Sequence, residues 1–163
     1  MTYSMRSLIC LAAALTTVAA LPAQTEKTSG TKARGDAVFK QLIERYYSAW
    51  NTANPDNAAP LYAPEAGLVF YDLAPLKYNG WGEYKEGAAK LLSQFAGAKL
   101  TPNDDLKVTR HGKLAWTTVT FHLSGTLKTG AAMELDGRHT AIWEKRGDKW
   151  LIVHEHVSAP LPG

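Results

Sequence analysis

The sequence predicts a single α+β domain in which helices come first and a run of antiparallel strands follows. Apolar side chains recur at helical spacing between residues 36 and 50, and after Gly97 the apolar period changes to two. The turns between the last strands are short, as His111-Gly112 and Arg146-Gly147-Asp148 show, and short turns join antiparallel neighbours. The 163 residues are enough for one domain with a substantial core.

The N-terminus has the features of an export signal. A short segment ends at Arg6, an apolar stretch runs from Leu8 to Ala20, and Ala23 supplies the small residue at which a signal peptidase would cut. That stretch of about 13 residues is shorter than the ~20 that span a bilayer. An uncleaved membrane anchor is the alternative. We expect a signal peptide over 1–23, a secreted or periplasmic location, and a mature chain without a membrane span.

The polar residues 24–35 are rich in Thr, Lys and Gly and lack apolar periodicity, so they are expected to form a flexible leader. The domain itself is expected over 36–160. A long amphipathic helix should begin near Asp36 and end at Asn54-Pro55. A short helix over 56–62, a strand over 67–72 and a helix over 82–95 should follow. Four strands should complete the domain, at 98–110, 113–125, 133–146 and 149–158.

Charge and cysteine content exclude several classes of protein. The 18 basic and 15 acidic residues are scattered, which is not typical of a nucleic-acid-binding protein. The single cysteine, Cys10, lies in the predicted signal, so the mature domain would have neither a disulfide nor a cysteine nucleophile. Gly80-x-Gly82 lacks the third glycine of a phosphate-binding loop, and no serine-hydrolase elbow occurs. We therefore expect no cofactor and no nucleic-acid partner.

Three segments resemble a known family. DGRHTAIWEKRGDKWLIVHEHVSAP at 136–160 is similar to the C-terminal hairpin of SnoaL-like, ketosteroid-isomerase-homologue proteins of the nuclear transport factor 2-like (NTF2-like) superfamily. FYD at 70–72, NGWGEYKEGAAKLL at 79–92 and the order of elements also resemble that family. The hairpin further resembles the association domain of calcium/calmodulin-dependent kinase II.

The resemblance implies a cone, in which a curved, mostly antiparallel sheet wraps around the long N-terminal helix and leaves a pocket at the wide end. It also implies a homodimer formed through the outer face of the sheet. It implies no single activity, because family members include isomerases, polyketide cyclases, dehydratases, lyases and non-catalytic binding or assembly modules.

Glu155 is the first candidate for acid–base chemistry. Strict alternation along residues 149–158 places it with Leu151, Val153 and Val157 on one apolar face. A carboxyl group in apolar surroundings is suited to general acid or base catalysis. The alternative is a carboxylate at the rim of the cone, or one that pairs with Arg138.

Asp72 and His139 are the other candidates. Asp72 ends the predicted strand where the family's pocket would open, and a second carboxylate could divide proton removal from proton delivery. The alternative is that Asp72, which precedes Leu-Ala-Pro at the end of the strand, only helps to form a turn. His139 lies between Gly137 and Ala141 on its strand, and small neighbours are typical of a cavity wall. Its imidazole could shuttle a proton, or it could simply fill the core.

Large aromatic side chains indicate an apolar pocket for a small hydrophobic ligand. The resemblance to the kinase association domain implies that the side of its strand carrying Trp116, Thr118 and Thr120 faces this pocket. It also implies that Thr118, Ala141 and Val157 replace pocket arginines, which disfavours an anionic ligand. At least some of the tryptophans are expected to be core. The expected ligand contacts are Trp50, Tyr62, Trp116, Thr118 and Trp143.

His154 and His156 share the face opposite Glu155, about 7 Å apart along a strand. A His-x-His pair can bind zinc when a third ligand completes the site. The family resemblance instead implies a subunit interface on this face. We expect the interface and no metal site.

The sequence thus favours cofactor-free acid–base catalysis of the isomerase, cyclase or lyase type on a small hydrophobic carbonyl compound. Glu155, Asp72 and His139 are the expected acid–base groups. The alternative is a non-catalytic small-molecule-binding or assembly module of the same fold.

Overall fold

The computed structural model describes residues 25–161, and their side chains from Asp36 onward. The predicted signal peptide lies outside the described residues. No helix within residues 25–161 is both long enough and apolar enough to cross a membrane. Two single-turn 3₁₀ helices, Pro55–Asn57 and Ala59–Leu61, stand where one short helix was expected. The other elements, in chain order, are α1 (Thr25–Trp50), β1 (Val69–Tyr71), β2 (Tyr78–Asn79), α2 (Gly80–Leu92), β3 (Phe95–Pro102), β4 (Lys107–His111), β5 (Leu114–Leu127), β6 (Ala132–Arg146) and β7 (Lys149–Ser158).

The strands form one curved sheet in the order β2-β1-β7-β6-β5-β3, and β4 also pairs with β5. All pairs are antiparallel except β1 with β7, which run parallel. The two longest strands, β5 and β6, pair along almost their whole length. The predicted α+β fold with a mostly antiparallel sheet around a long helix is confirmed.

Helix α1 packs along the concave face of the sheet. Its apolar side chains, which recur at helical spacing, are buried: Phe39, Leu42, Ile43, Tyr46, Tyr47 and Trp50. Phe39 is fully buried between the rings of Trp143 and Trp150, at centroid distances of 6.0 and 5.0 Å. Burial of each large apolar side chain contributes about 1.5–3 kcal/mol, so this stripe fixes the helix on the sheet.

Helix α1 begins at Thr25 rather than at Asp36. Residues 25–35, for which a flexible leader was expected, continue the backbone of this helix. Extending an existing helix adds one hydrogen bond for each residue that is ordered, whereas starting one is costly. The packed part of α1 acts as the nucleus, and the Glu, Lys, Ala and Arg residues of the leader are good helix formers.

The predicted strand 98–110 is two strands, β3 and β4, separated by residues 103–106. Both pair with β5, and the intervening loop is fastened to Thr120 of that strand. The Asp105 carboxylate accepts hydrogen bonds from the Thr120 backbone N–H (2.9 Å) and hydroxyl (2.8 Å). The Asn103 backbone N–H donates to the Thr120 carbonyl oxygen (2.9 Å). Asn and Asp are residues that favour such turns, and here they interrupt the strand.

A β-bulge at Val153 changes which residues of β7 face the helix. Ile142 pairs with His154 and Trp143 with Ile152, which leaves Val153 without an opposite residue. Trp150 and Ile152 therefore point inward before the bulge, and Glu155 points inward after it. The expectation that Glu155 shares a face with Leu151 and Val153 is wrong, although its inward direction is right.

The end of α1 is tied to the edge of the sheet at β3. The Asn51 side-chain amide donates to the Leu100 carbonyl oxygen (2.9 Å) and accepts from the Leu100 backbone N–H (2.7 Å), as a neighbouring strand would. This pair of bonds holds the last turn of α1 against β3 at the wide end of the cone.

Candidate functional site

A cavity of about 360 Å³ lies between α1, α2 and the concave face of the sheet. Asp72 and His139 are the charged or readily titratable side chains in its wall, and within the described residues no lysine or arginine lines it. The rest of the wall is mostly aromatic and aliphatic, including Tyr46, Tyr47, Trp50, Tyr84, Leu91, Leu92, Phe95, Phe121, Leu123 and Val157. A wall of this composition suits an uncharged ligand with an apolar body.

Asp72 follows β1 directly and contributes its carboxyl group to the wall. Burial raises the pKa of Asp72 to about 6. The hydrogen bond from the Leu73 backbone N–H (2.7 Å) partly opposes this shift, and the nearby Glu155 carboxyl adds to it. Both protonation states of Asp72 are therefore accessible near neutral pH, which is the property that a general base or acid needs.

His139 projects from β6 into the same cavity and is 2% exposed. Its ring stacks on Tyr46 with a centroid distance of 4.4 Å and an interplanar angle of 22°. Its Nδ1 lies 3.5 Å from the Tyr47 hydroxyl oxygen, which is a long contact. A Cβ at Gly137 would lie 2.2 Å from the Phe121 ring, so the missing side chain makes room for Phe121 beside His139.

Glu155 is fully buried and lies behind the cavity wall rather than in it. The Tyr46 hydroxyl donates a short hydrogen bond to Oε1, and the Tyr62 hydroxyl donates to Oε2 at 2.5 Å. His139 Nε2 lies 3.1 Å from Oε1, but its N–H is not aligned with that oxygen, so this is a close polar contact rather than a regular hydrogen bond. The prediction of Glu155 as an acid–base group in contact with substrate does not fit this position.

The tyrosines around Glu155 keep their protons. Burial, followed by the nearby Glu155 carboxyl, raises the pKa of Tyr46 and of Tyr62 well above the usual range. The same two causes raise the pKa of Tyr47 and of Tyr84. These hydroxyls therefore serve as hydrogen-bond donors at neutral pH and not as phenolate bases.

Trp50 lies in the cavity wall and Tyr62 lies behind it, and a hydrogen bond joins the two side chains. The Trp50 indole N–H donates to the Tyr62 hydroxyl oxygen at 3.3 Å. Trp50 lines the cavity, whereas Tyr62 lies at the Glu155 side of the wall. The role of Tyr62 is therefore to donate to Glu155 rather than to contact a ligand.

Trp116 and Thr118 lie on the outer face of the sheet, so the prediction that they line the pocket is wrong. Trp116 is 40% exposed, and its ring stacks on His111 at 5.6 Å. The inward side of β5 carries Thr117, Val119, Phe121 and Leu123. That side of β5 is the more apolar one, and burial of its apolar area favours turning it toward the core. The resemblance to the kinase association domain implied the opposite orientation of the strand.

Trp143 also lies outside the cavity wall. It is fully buried, packs against Phe39 and donates its indole N–H to the Thr117 hydroxyl at 2.9 Å. The hydrogen bond satisfies the polar end of a core tryptophan. Its predicted ligand contact is therefore corrected to a core contact.

The sequence prediction did not assign a role to Tyr46 or Tyr47, although both are central to the site. They are adjacent on α1, yet their hydroxyls reach different partners, Glu155 and the cavity. The available signal was a pair of tyrosines on the buried face of the helix, in a fold that also buries a carboxyl group. This pattern in the sequence does not by itself identify a functional site, because only the three-dimensional structure shows which of these side chains meet.

His154 and His156 lie on the outer side of β7, near Tyr71. His154 Nδ1 is 2.8 Å from the Val69 carbonyl oxygen. The Tyr71 ring packs edge-on against both histidine rings, at 5.4 and 5.6 Å. Within residues 36–161, no cluster of three or more His, Cys, Asp and Glu side chains is arranged to hold a metal ion.

The fold is that of the NTF2-like superfamily. The profile of the SnoaL-like domain matches residues 39–162, and the chain belongs to this family. A search among curated protein sequences finds no significant match.

Solved structures share the fold over most of the chain. An NTF2-like superfamily protein from Salmonella enterica is 22% identical with a TM-score of 0.72, covering 83% of this chain and 94% of its own. A protein from Xanthomonas campestris, provisionally named as a calcium/calmodulin-dependent protein kinase II association domain, is 25% identical with a TM-score of 0.65, covering 91% and 97%. A protein from Novosphingobium aromaticivorans, provisionally named scytalone dehydratase, is 11% identical with a TM-score of 0.71, covering 82% and 89%.

Proposed function

We propose that the cavity catalyses cofactor-free proton transfer on a small hydrophobic carbonyl compound, in a reaction of the isomerase, cyclase or lyase type. The observation that carries this proposal is that Asp72 and Tyr47 line the same, mostly aromatic and aliphatic cavity. Burial raises the pKa of Asp72 to about 6, which suits a base that works near neutral pH.

In this mechanism, the Asp72 carboxylate removes a proton from the carbon next to the substrate carbonyl. Negative charge then develops on the carbonyl oxygen, and the Tyr47 hydroxyl donates a hydrogen bond to it. Because the pKa of Tyr47 is raised, the phenol keeps its proton and stabilises the oxyanion by hydrogen bonding alone. Asp72 then returns the proton to the substrate or to a leaving group. The apolar wall strengthens both interactions by excluding water.

The names of fold relatives are compatible with this chemistry. Besides the protein named scytalone dehydratase, a structure from Streptomyces avermitilis is provisionally named a dehydratase and one from Shewanella frigidimarina a ketosteroid isomerase. Each is less than 25% identical to this chain, so these likenesses support the fold, while the proposed reaction rests on Asp72 and Tyr47.

Proton abstraction can be tested without the natural substrate. 2-Tetralone carries acidic protons next to a carbonyl group on a two-ring apolar body that is small enough for the cavity. In D₂O, the wild-type protein should accelerate exchange of these protons, observed by ¹H NMR. Asp72→Asn should slow the protein-catalysed exchange by about 100-fold or more, within the usual contribution of a general base.

The matched control is Asp104→Asn, which changes an exposed aspartate outside the cavity and should leave the exchange rate unchanged. Equal rates for wild type and Asp72→Asn would contradict the role of Asp72. A wild-type protein that binds 2-tetralone without accelerating exchange would favour the non-catalytic binding module.

We also propose that the chain forms a homodimer through the outer face of the sheet. Trp116 and Tyr71 project from that face and are 40% and 38% exposed, so both rings are available to a second subunit, and aromatic side chains are enriched in protein interfaces. Light scattering after gel filtration should give twice the mass of the mature chain, and Trp116→Lys should shift it toward the monomer. A wild-type monomer would contradict this proposal.

A further inference from the structure

We propose that Glu155 is a positioning residue that keeps a hydrogen on Nε2 of His139, so that Nδ1 faces the cavity as an acceptor beside the Tyr47 hydroxyl. The proposal rests on the proposed function and names the ligand class: a hydrophobic compound with a hydroxyl group next to its carbonyl group.

Glu155 acts through its neighbours because it cannot reach a ligand. The side chain is fully buried and stands outside the cavity wall. Oε1 accepts from Tyr46 and Oε2 from Tyr62, so the carboxyl group is held in one orientation from two sides. Tyr46 and His139 touch both the carboxyl group and the cavity, and of these two only His139 has a side-chain nitrogen that can accept a hydrogen bond.

The distance between His139 and Glu155 selects the tautomer of the imidazole. Nε2 lies 3.1 Å from Oε1, and without a hydrogen it would place its own partial negative charge beside the carboxylate oxygen. A hydrogen on Nε2 removes this repulsion. A neutral imidazole has a single N–H, so Nδ1 is then free to accept. The hydrogen is thus assigned to Nε2 from the positions of the ring nitrogen and the carboxylate oxygen.

Nδ1 and the Tyr47 hydroxyl present complementary groups to a ligand. They lie 3.5 Å apart, longer than an ordinary hydrogen bond, so neither is strongly committed to the other. A ligand carbonyl oxygen can accept from Tyr47 while an adjacent ligand hydroxyl donates to Nδ1. A simple ketone satisfies Tyr47 but leaves Nδ1 without a donor, and an unsatisfied buried polar atom weakens binding.

Other titratable groups near His139 do not supply a competing hydrogen at Nε2. Tyr46 stacks on the ring and donates to Glu155, and Tyr47 faces Nδ1. The titratable groups packed around this part of the cavity are Tyr46 and Tyr47 from α1, Tyr62 after the second 3₁₀ helix, Asp72 after β1, Tyr84 from α2 and Glu155 from β7.

The tautomer can be read directly from ¹⁵N NMR of histidine-labelled protein, with the His139 signals assigned by His139→Gln. In the neutral ring of the wild-type protein, Nε2 should carry the hydrogen and Nδ1 should show the chemical shift of an unprotonated nitrogen. In Glu155→Gln, the amide NH₂ can donate to Nε2, and the hydrogen should move to Nδ1. A wild-type ring with its hydrogen on Nδ1, or with both nitrogens protonated throughout, would overturn the proposal.

The ligand class can be tested with 1-tetralone and 2-hydroxy-1-tetralone, which differ by the hydroxyl next to the carbonyl. Binding is followed by quenching of tryptophan fluorescence, since Trp50 lines the cavity. The hydroxy ketone should bind the wild-type protein about 10-fold more tightly, as expected for one additional buried hydrogen bond. In Glu155→Gln this preference should disappear.

Glu86→Gln is the matched control, because it makes the same change at an exposed position of α2 outside the cavity. It should retain both the tautomer and the ligand preference. If Glu155→Gln does not fold, the wild-type NMR result decides alone. The wild-type protein could show the expected tautomer and the preference for the hydroxy ketone but fail to accelerate proton exchange of 2-tetralone. That result would support this inference and overturn the proposed catalysis. Equal binding of the two ketones by the wild-type protein would overturn the ligand class.

Discussion

Two adjacent tyrosines on α1 have different roles in the site, one structural and the other in ligand binding. Tyr46 donates to the buried Glu155 carboxyl, whereas the Tyr47 hydroxyl faces the cavity and makes only a long contact with His139. Neighbouring helix positions differ in direction by about 100°, which is why one ring reaches β7 and the other reaches the ligand space. The stability of the fold should therefore depend on the Tyr46 hydroxyl, and ligand binding should depend on the Tyr47 hydroxyl.

Removal of the two hydroxyls should separate these roles. Tyr46→Phe should lower the free energy of unfolding by about 1–3 kcal/mol, because a buried carboxylate oxygen loses its donor. Tyr47→Phe should leave unfolding nearly unchanged and weaken binding of 4-nitrophenolate, an oxyanion on an aromatic ring, by about 10-fold. Urea denaturation and the absorbance of the bound phenolate report the two effects. Equal effects of both variants on stability would contradict the division.

Asp72 should make the stability of the protein depend on pH. Its folded pKa of about 6 lies above the usual value of 3.8, so the folded state binds the proton more tightly than the unfolded state. The resulting stabilisation is complete below the unfolded pKa and is lost as the pH rises through about 6.

Asp72→Asn should remove this pH dependence. With allowance for the partial exposure of the side chain, it should raise the free energy of unfolding at about pH 7 by roughly 1–2 kcal/mol. Urea denaturation of both proteins at several pH values measures the difference. A variant that is less stable than the wild type near neutrality would show that Asp72 is held by a stabilising partner.

At the scale of elements, the shape of the cavity depends on a missing side chain in β6. Gly137 pairs with Phe121 across the ladder, and a Cβ at this glycine would lie 2.2 Å from the Phe121 ring. Because Phe121 forms part of the wall, the glycine also determines how far the ring reaches into the cavity.

Gly137→Ala should therefore lower stability by about 1–3 kcal/mol, the usual cost of overpacking, and should weaken ligand binding by displacing Phe121. Gly67→Ala is the control, since a Cβ there meets no atom within 4 Å and should change little. Thermal unfolding and 4-nitrophenol binding report the two effects. A fully stable Gly137→Ala protein would mean that Phe121 has space to move.

Alternation alone predicts the strands well but fails where a strand is irregular. The inward position of Glu155 was predictable from β7, but the bulge at Val153 depends on pairing with β6 and leaves no clear mark in the sequence. The outward position of Trp116 was predictable from the more apolar side of β5, and the resemblance to the kinase association domain pointed the other way. The Tyr46–Glu155 contact joins residues 109 positions apart, which local patterns cannot predict.

At the scale of the whole molecule, the charged and titratable groups of the site come from separate parts of the chain. Asp72 follows β1, His139 comes from β6 and Glu155 from β7, while α1 supplies the tyrosines. The cone brings them together around one apolar volume, so assembly of the site requires the complete fold.

Export remains a proposal that rests on the sequence of residues 1–23. Expression of the full chain in a Gram-negative host should yield a periplasmic protein whose intact mass corresponds to cleavage after Ala23. Replacement of Leu11 and Leu15 by Lys should keep the protein in the cytoplasm by interrupting the apolar stretch. A periplasmic fraction without the protein, or a membrane-bound full-length chain, would contradict cleavage.

The central claim is that Asp72 is the base of a proton-transfer site, and the pH dependence of 2-tetralone exchange tests it most directly. The wild-type rate should rise as the pH increases and level off above the folded pKa of about 6, because only the carboxylate can remove a proton. Asp72→Glu should keep a measurable rate with a shifted midpoint, and Asp72→Asn should lose the transition. A transition that persists in Asp72→Asn would contradict the account and assign the base to another group.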